Sequence, residues 1–383
     1  MKGTVRETMT EKSQLALEQK VRKDFKNKEE SKAIPDWRAC QIMPPNEVVR
    51  KQVKKNWDSI AKPLDGMGSF ETLTAKIGAI QNADDPKVKE RAVLIFCADN
   101  GIVEEGVSQS GQEVTLAVMK SMARKHSSVG KMAKAAGADT LVVDIGVNTK
   151  ERVEGVLDCK IRPGTRNFLK EPAMTEEETL AAIDTGIRLV RQCKENGYAL
   201  LATGEMGIGN TTTSSAVVAA LLQKSPEEVT GRGAGLNNEG LCRKKQVIAQ
   251  ALEKYNLYHA KPFQILQTVG GLDIAGLVGV CMGGALFGVP IVLDGVISMA
   301  AGLLAQLLLP GTVDYLIPSH KGKEPAVSFL LQALSMEPVL DAGLALGEGT
   351  GAVLLFPLLD TVMSIYEGSS NFQDIGVEQY VRL

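Results

Sequence analysis

The chain has 383 residues, 44% of them hydrophobic and 23% charged, with a formal net charge of −2. That is enough apolar material for one large α/β domain with a smaller companion, or for two ordinary domains. The near-neutral balance and the 4% aromatic content argue against a nucleic-acid surface, which needs a basic excess or a row of stacking rings.

Residues 1–33 are dense in Lys, Arg and Glu and lack an apolar signal core, so they read as a solvated, partly helical arm, or as an arm that wraps a partner subunit. A break around Met43-Pro44-Pro45 leads into a polar amphipathic helix over 46–62, a turn at 63–69 and a second helix over Phe70–Ile80. Ala92–Ala98 is the first strong strand, a continuous apolar run closed by Asp99-Asn100-Gly101, as in a parallel strand covered on both faces. A helix is expected over 114–136, a strand at Thr140–Ile145, and a long helix over 175–196 that Thr175 and Glu178 open with capping-box spacing. Tyr198–Ala202 reads as the third strand. Helices over 211–222, 238–255 and 272–287 follow, then a strand at Pro290–Leu293, a helix over 297–308, a strand at Tyr315–Pro318, and helices near 324–334 and 350–366.

The most apolar stretch, 272–309, is interrupted by Asp273, Asp294, Gly288 and Pro290, so it reads as buried core and no membrane span is expected. The six cysteines (Cys40, Cys97, Cys159, Cys193, Cys242, Cys281) form no Cys-x-x-Cys pair, which fits reduced thiols in a cytoplasmic protein and gives no zinc pattern. Strands alternating with helices imply βαβ crossovers. The expected class is α/β: a mainly parallel, Rossmann-like sheet flanked by helices over 91–335, with a small helical domain built from 34–90 and 336–383.

Ligands in such sheets sit beyond the carboxyl ends of the strands, and the unusual loops fall there. Thr203-Gly204-Glu205-Met206-Gly207-Ile208-Gly209-Asn210-Thr211 joins a buried strand to a helix start. Glycines let backbone N–H groups approach an anion, and Asn210 or Thr211 can cap the helix. This suits one phosphate, but no Gly-Lys-Ser/Thr follows as in a P-loop; a turn that only permits tight packing has the same composition. Leu346-Gly347-Glu348-Gly349-Thr350-Gly351 sets a carboxylate between glycines ahead of a helix. It can be a general base, or an acid that complements the helix dipole. Asp99 and Asn100 read either as site residues or as an Asx turn. His320, after the strand at Tyr315–Pro318, reads as structural or catalytic. Asp294, closing an apolar strand, is expected at the mouth of the sheet.

Together these segments resemble the nicotinate-nucleotide–dimethylbenzimidazole phosphoribosyltransferase family. The matching pieces are the turn at 63–72, CADNG at 97–101, GEMGIGNTT at 204–212, GGLDIAGLVG at 270–279, LDG at 293–295, PSH at 318–320, LSMEP at 334–338 and LGEGTGA at 346–352. The resemblance implies transfer of the phosphoribosyl group of nicotinate mononucleotide to a benzimidazole-type base, with no cofactor or metal, in a cytoplasmic homodimer. It implies Glu348 as the catalytic base. Glu205, Gly207, Ile208, Gly209, Asn210, Thr211, Lys244 and Asp294 would bind the donor and its phosphate. Ser110, Val118, Met206 and Leu346 would line the base pocket. Val118 stands where some members carry a glutamine, which bears on the base accepted. A fold that kept nucleotide binding and lost the chemistry, or a subunit needing a paralogous partner, are the competing readings.

Overall fold

Arg91–Ala98 forms a strand (β1) whose eight residues are all buried, so both of its faces are covered. In the computed structural model, which describes residues 34–382, five further strands join it: β2 (Asp139–Gly146), β3 (Leu157–Asp158), β4 (Leu200–Met206), β5 (Ile291–Leu293) and β6 (Leu316–Pro318). All neighbours run parallel, in the order 3-2-1-4-5-6. Strand order reverses between β1 and β4, which opens a crevice at their carboxyl ends. The charged segment 1–33, expected as an arm, lies outside the described residues.

One face of the sheet carries helices Glu176–Glu195, Asn210–Leu222, Leu272–Phe287 and Val296–Leu308. The first and third of these pack backbone against backbone. A Cβ at Gly279 would fall 1.9 Å from the Ile183 carbonyl oxygen, and one at Gly186 would fall 2.1 Å from that of Gly276. Thr175 opens helix Glu176–Glu195 with the expected capping box. The other face carries helices Ser69–Gln81, Glu113–Ala123, Ser128–Ala135 and Thr350–Gly368. Arg91 and Asp360 form a two-pronged ion pair (2.8 and 2.6 Å) that ties the last helix to the start of β1.

A separate apolar cluster joins the two ends of the described chain. Val53, Trp57, Ile60 and Ala75 meet Val362, and the rings of Trp57 and Tyr366 lie 5.0 Å apart. The Trp57 indole N–H donates to Thr74 Oγ1 (2.9 Å), so the ring is buried without an orphaned donor. Helix Thr350–Gly368 is long and apolar enough to cross a membrane by length and composition, but it lies against the sheet with Leu355, Phe356 and Leu359 buried.

Several elements differ from expectation. The helix expected over 114–136 is two helices. Lys125 adopts φ +57°, and Ser127 Oγ accepts from the Gly130 N–H (3.2 Å), capping the second helix. The third strand, expected over Tyr198–Ala202, begins at Leu200 and runs on to Met206, because Thr203–Glu205 continue the pairing with β1 instead of turning. β3, helix Pro262–Val269 and the two-stranded parallel sheet of β7 (His320–Gly322) and β8 (Leu340–Leu344) have no counterpart among the expected elements. The last two strands lack any apolar run or alternation that marks them in sequence.

Candidate active site

β4 delivers Glu205 and Met206 to the crevice, and the chain then turns into helix Asn210–Leu222. Gly209 is the N-cap, at φ +94°, where an L side chain is strained; among the described residues no side chain caps this helix, contrary to the expectation for Asn210 or Thr211. The Asn210 amide instead turns inward, donating to Glu205 Oε2 and to Asp273 Oδ2 (3.1 Å). Among the described residues no acceptor meets the Gly209 and Thr211 N–H groups, so this helix end stays open to an anion. Thr211 Oγ1 accepts from Lys244 Nζ (2.8 Å), which also donates to the Gly231 carbonyl (3.2 Å). Lys244 is fully buried behind the cavity wall, and burial pulls its pKa down to about 8. In this conformation its charge reaches the cavity through Thr211 and not by direct contact.

The second loop is held from below. Asp294, at the end of β5, accepts from the backbone N–H groups of Gly349 (3.1 Å), Gly351 (2.8 Å) and Ala352 (3.1 Å). Its carboxylate therefore fills the N-terminus of helix Thr350–Gly368. Burial raises its pKa, opposed by His320 and these N–H groups. Gly347, Glu348 and Gly349 all adopt positive φ (+82°, +63° and +94°). For the non-glycine Glu348 that conformation costs about 1 kcal/mol or more. Its Oε2 accepts from the Val129 N–H (3.3 Å), in the first turn of the helix that the break after Ala123 creates. Burial raises the Glu348 pKa most, the Val129 bond opposes it, and Asp294 adds to it. A half-buried carboxylate with one backbone donor keeps its proton affinity, as a general base requires.

The two loops touch. A Cβ at Gly204 on β4 would fall 2.6 Å from the Glu348 carbonyl oxygen, and one at Gly347 would fall 3.0 Å from Glu205 Oε1. Both loops line one cavity of about 320 Å³, within the range of small-molecule sites. Glu205, Gly207, Ile208, Gly209, Asn210 and Thr211 are on its wall, as are Asp294 and Glu348. Ser110, Val118, Met206 and Leu346 line it too. Burial, with Asp273, Asp294 and Glu348 nearby, raises the Glu205 pKa to about 8.

Asp99 and Asn100 are buried and form no surface turn: Asp99 Oδ2 accepts from the Asn148 N–H (2.7 Å), bracing the ends of β1 and β2. His320 lines the cavity and shares a hydrogen bond with Ser319 Oγ (2.9 Å). Sequence reasoning misses the wall at Arg232, Gly233, Ala234 and Glu324. The glycine spacing of Gly231-Arg232-Gly233-Ala234-Gly235 is a usable signal for the first three. Glu324, which accepts from the Gly233 N–H (3.2 Å), has none.

A family model described as phosphoribosyltransferase matches residues 42–377. A nicotinate-nucleotide–dimethylbenzimidazole phosphoribosyltransferase of Acetivibrio thermocellus is 41% identical over 328 residues, 86% of this chain and 93% of its own length. One of Geobacter metallireducens is 39% identical over 339 residues, 88% and 96% of the two chains. The crystal structure of CobT from Thermus thermophilus superposes with a TM-score of 0.82 at 39% identity, over 87% of this chain and all of that one. This chain belongs to the nicotinate-nucleotide–dimethylbenzimidazole phosphoribosyltransferase family.

Proposed function

We propose that this chain transfers the 5-phosphoribosyl group of nicotinate mononucleotide to 5,6-dimethylbenzimidazole or a related lower-ligand base, giving α-ribazole phosphate and nicotinate. The observation that carries this reading is one cavity shared by an open helix N-terminus and a half-buried, backbone-held carboxylate. The 5′-phosphate would take the Gly207–Thr211 end, where N–H groups and the nearby Lys244 charge favour an anion. The base would lie against Ser110, Val118, Met206 and Leu346. The bond from C1 to the pyridinium nitrogen breaks and returns its electron pair to nicotinate, so no proton is needed on the leaving group. As the new C1–N bond forms, the N–H proton of the incoming base passes to Glu348. The β to α change at C1 requires attack from the opposite face, so positioning contributes heavily. Asp294 would act by holding the Glu348 loop, since both its oxygens are taken by backbone N–H groups.

Scattered cysteines with no Cys-x-x-Cys pair support a cytoplasmic setting. Family resemblance supports a homodimer, and the shared cluster around Trp57 supports treating 34–90 and 336–383 as one small helical domain beside 91–335. The test is nicotinate release when the protein is mixed with nicotinate mononucleotide and competing bases, including dimethylbenzimidazole, adenine and phenol. Release with dimethylbenzimidazole is expected. No release with any base would overturn the reading, and tight donor binding without turnover would point to a fold that kept only the nucleotide site.

A further inference from the structure

The segment GGLDIAGLVG at 270–279 has no part in the transfer described above, yet it carries the most deeply set acid of this region. Asp273 is fully buried in the first turn of helix Leu272–Phe287 and is not on the cavity wall. Its Oδ1 accepts from the Ile274 N–H (2.9 Å) and its Oδ2 from the Asn210 side-chain amide (3.1 Å). The same amide nitrogen donates to Glu205 Oε2. One NH₂ group with two hydrogens thus bridges two carboxyl groups. Glu205 keeps its Oε1 beside Gly347 at the cavity. The helix bearing Asp273 has no room to slide, because Gly279 already lies against the Ile183 carbonyl.

We propose that Asp273 is a positioning residue for phosphoribosyl transfer: it fixes the Asn210 amide, and through it the Glu205 carboxyl, so that Oε1 is presented to the bound donor. The proposal rests on the transfer reading above. A neutral side chain would serve a packing role at this depth, and burying an acid with no cation beside it is costly. The feature that requires an acid here is two-sided acceptance: a carboxylate takes the Ile274 and Asn210 donors at once, whereas an amide of the same shape offers one oxygen.

The bridge also couples charge. Burial first, then Asp273, Asp294 and Glu348, push Glu205 up to about 8, while the Asn210 bond opposes them. Asp99 faces Asp273, the Cys97 thiol on β1 feels both acids, and His320 lies on the far side of Asp294. A like charge disfavours ionisation, so neutralising Asp273 lowers the pH at which Glu205 loses its proton.

The experiment measures kcat and KM for nicotinate mononucleotide, pH profiles and thermal midpoints for wild type, Asp273→Asn, Asn210→Ala and the double variant. Asp273→Asn is expected to lower kcat about tenfold or more with KM changed less than about threefold, and to move the Glu205 midpoint to lower pH. The double variant is expected to be no slower than Asn210→Ala within about twofold, since both residues act through one bridge. A wild-type kcat in Asp273→Asn, or losses that multiply in the double variant, would overturn the proposal. Should Asp273→Asn fold poorly, Asn210→Ala carries the decision: wild-type turnover there breaks the chain between Asp273 and Glu205. Absence of nicotinate release from wild type would remove the transfer reading and this proposal together, whereas loss of the proposal alone requires an active wild type.

Discussion

The loops at 204–211 and 346–352 look alike in sequence: each sets an acid among glycines at the start of a helix, and each helix has a left-handed glycine N-cap at φ +94°. They differ in what meets the helix end. Asp294 reaches up from β5 and occupies the N-terminus of Thr350–Gly368 with a resident carboxylate. Among the described residues the N-terminus of Asn210–Leu222 receives no such group, and Glu205 and Asp273 are turned onto the Asn210 side chain instead. A filled helix end makes a rigid platform that projects Glu348. An open one makes a seat for an exogenous anion.

The two loops differ most in chemical consequence at Glu348. Glu348→Gln is expected to cut kcat by about 10²–10⁴ while leaving KM for the donor within about threefold, since only the proton acceptor is lost. Steady-state nicotinate release decides it; unchanged kcat would reduce Glu348 to a helix acid. Next is the resident anion itself. Asp294→Asn offers one oxygen to three N–H groups, so we expect about 2–3 kcal/mol less stability in urea unfolding and a kcat loss of about tenfold or more as the Glu348 loop loosens. At the open end the expected effect moves to KM. Thr211→Val should raise KM for nicotinate mononucleotide about tenfold with kcat within about twofold, and the difference should vanish for the phosphate-free riboside. An equal loss for both donors would place the phosphate elsewhere.

A further expected effect is on stability against pH. Burial raises Glu205 from 4.5 to about 8, with Asp273 adding to it, and raises Asp273 from 3.8 to about 6, with Asp99 adding to it. Between the unfolded and folded values the native state holds protons the unfolded chain has released, so their contribution is complete below the unfolded values and is lost as pH rises through the folded ones. The thermal midpoint of the unliganded protein should therefore fall between about pH 5 and 8, and Glu205→Gln should flatten that slope. A midpoint that rises over this range would contradict the unpaired acids at the open site.

Much of the frame is legible before folding. β1 and helix Glu176–Glu195 follow from a continuous apolar run and from Thr175 with Glu178, signals contained within a few residues. Gly209 and Gly349 likewise mark their turns locally. The break after Ala123 is not legible, because apolar and polar residues keep their helical spacing across it, yet that break creates the N–H that holds Glu348. Family resemblance points to Lys244 near the phosphate, but its depth behind Thr211 and Gly231 depends on a loop contributed from elsewhere in the chain.

The alternation of strands and helices, the glycines at the turns and the acids at the strand ends follow from local chain alone, since each rests on interactions within one or two turns. Which helix end is filled and which is open follows from long-range packing. The bonds that settle it join Asp294 to Gly349, 55 residues on, and Asn210 to Asp273, 63 residues on. Local periodicity carries no information about such pairings; they follow from where packing of the sheet and its helices brings donors and acceptors together.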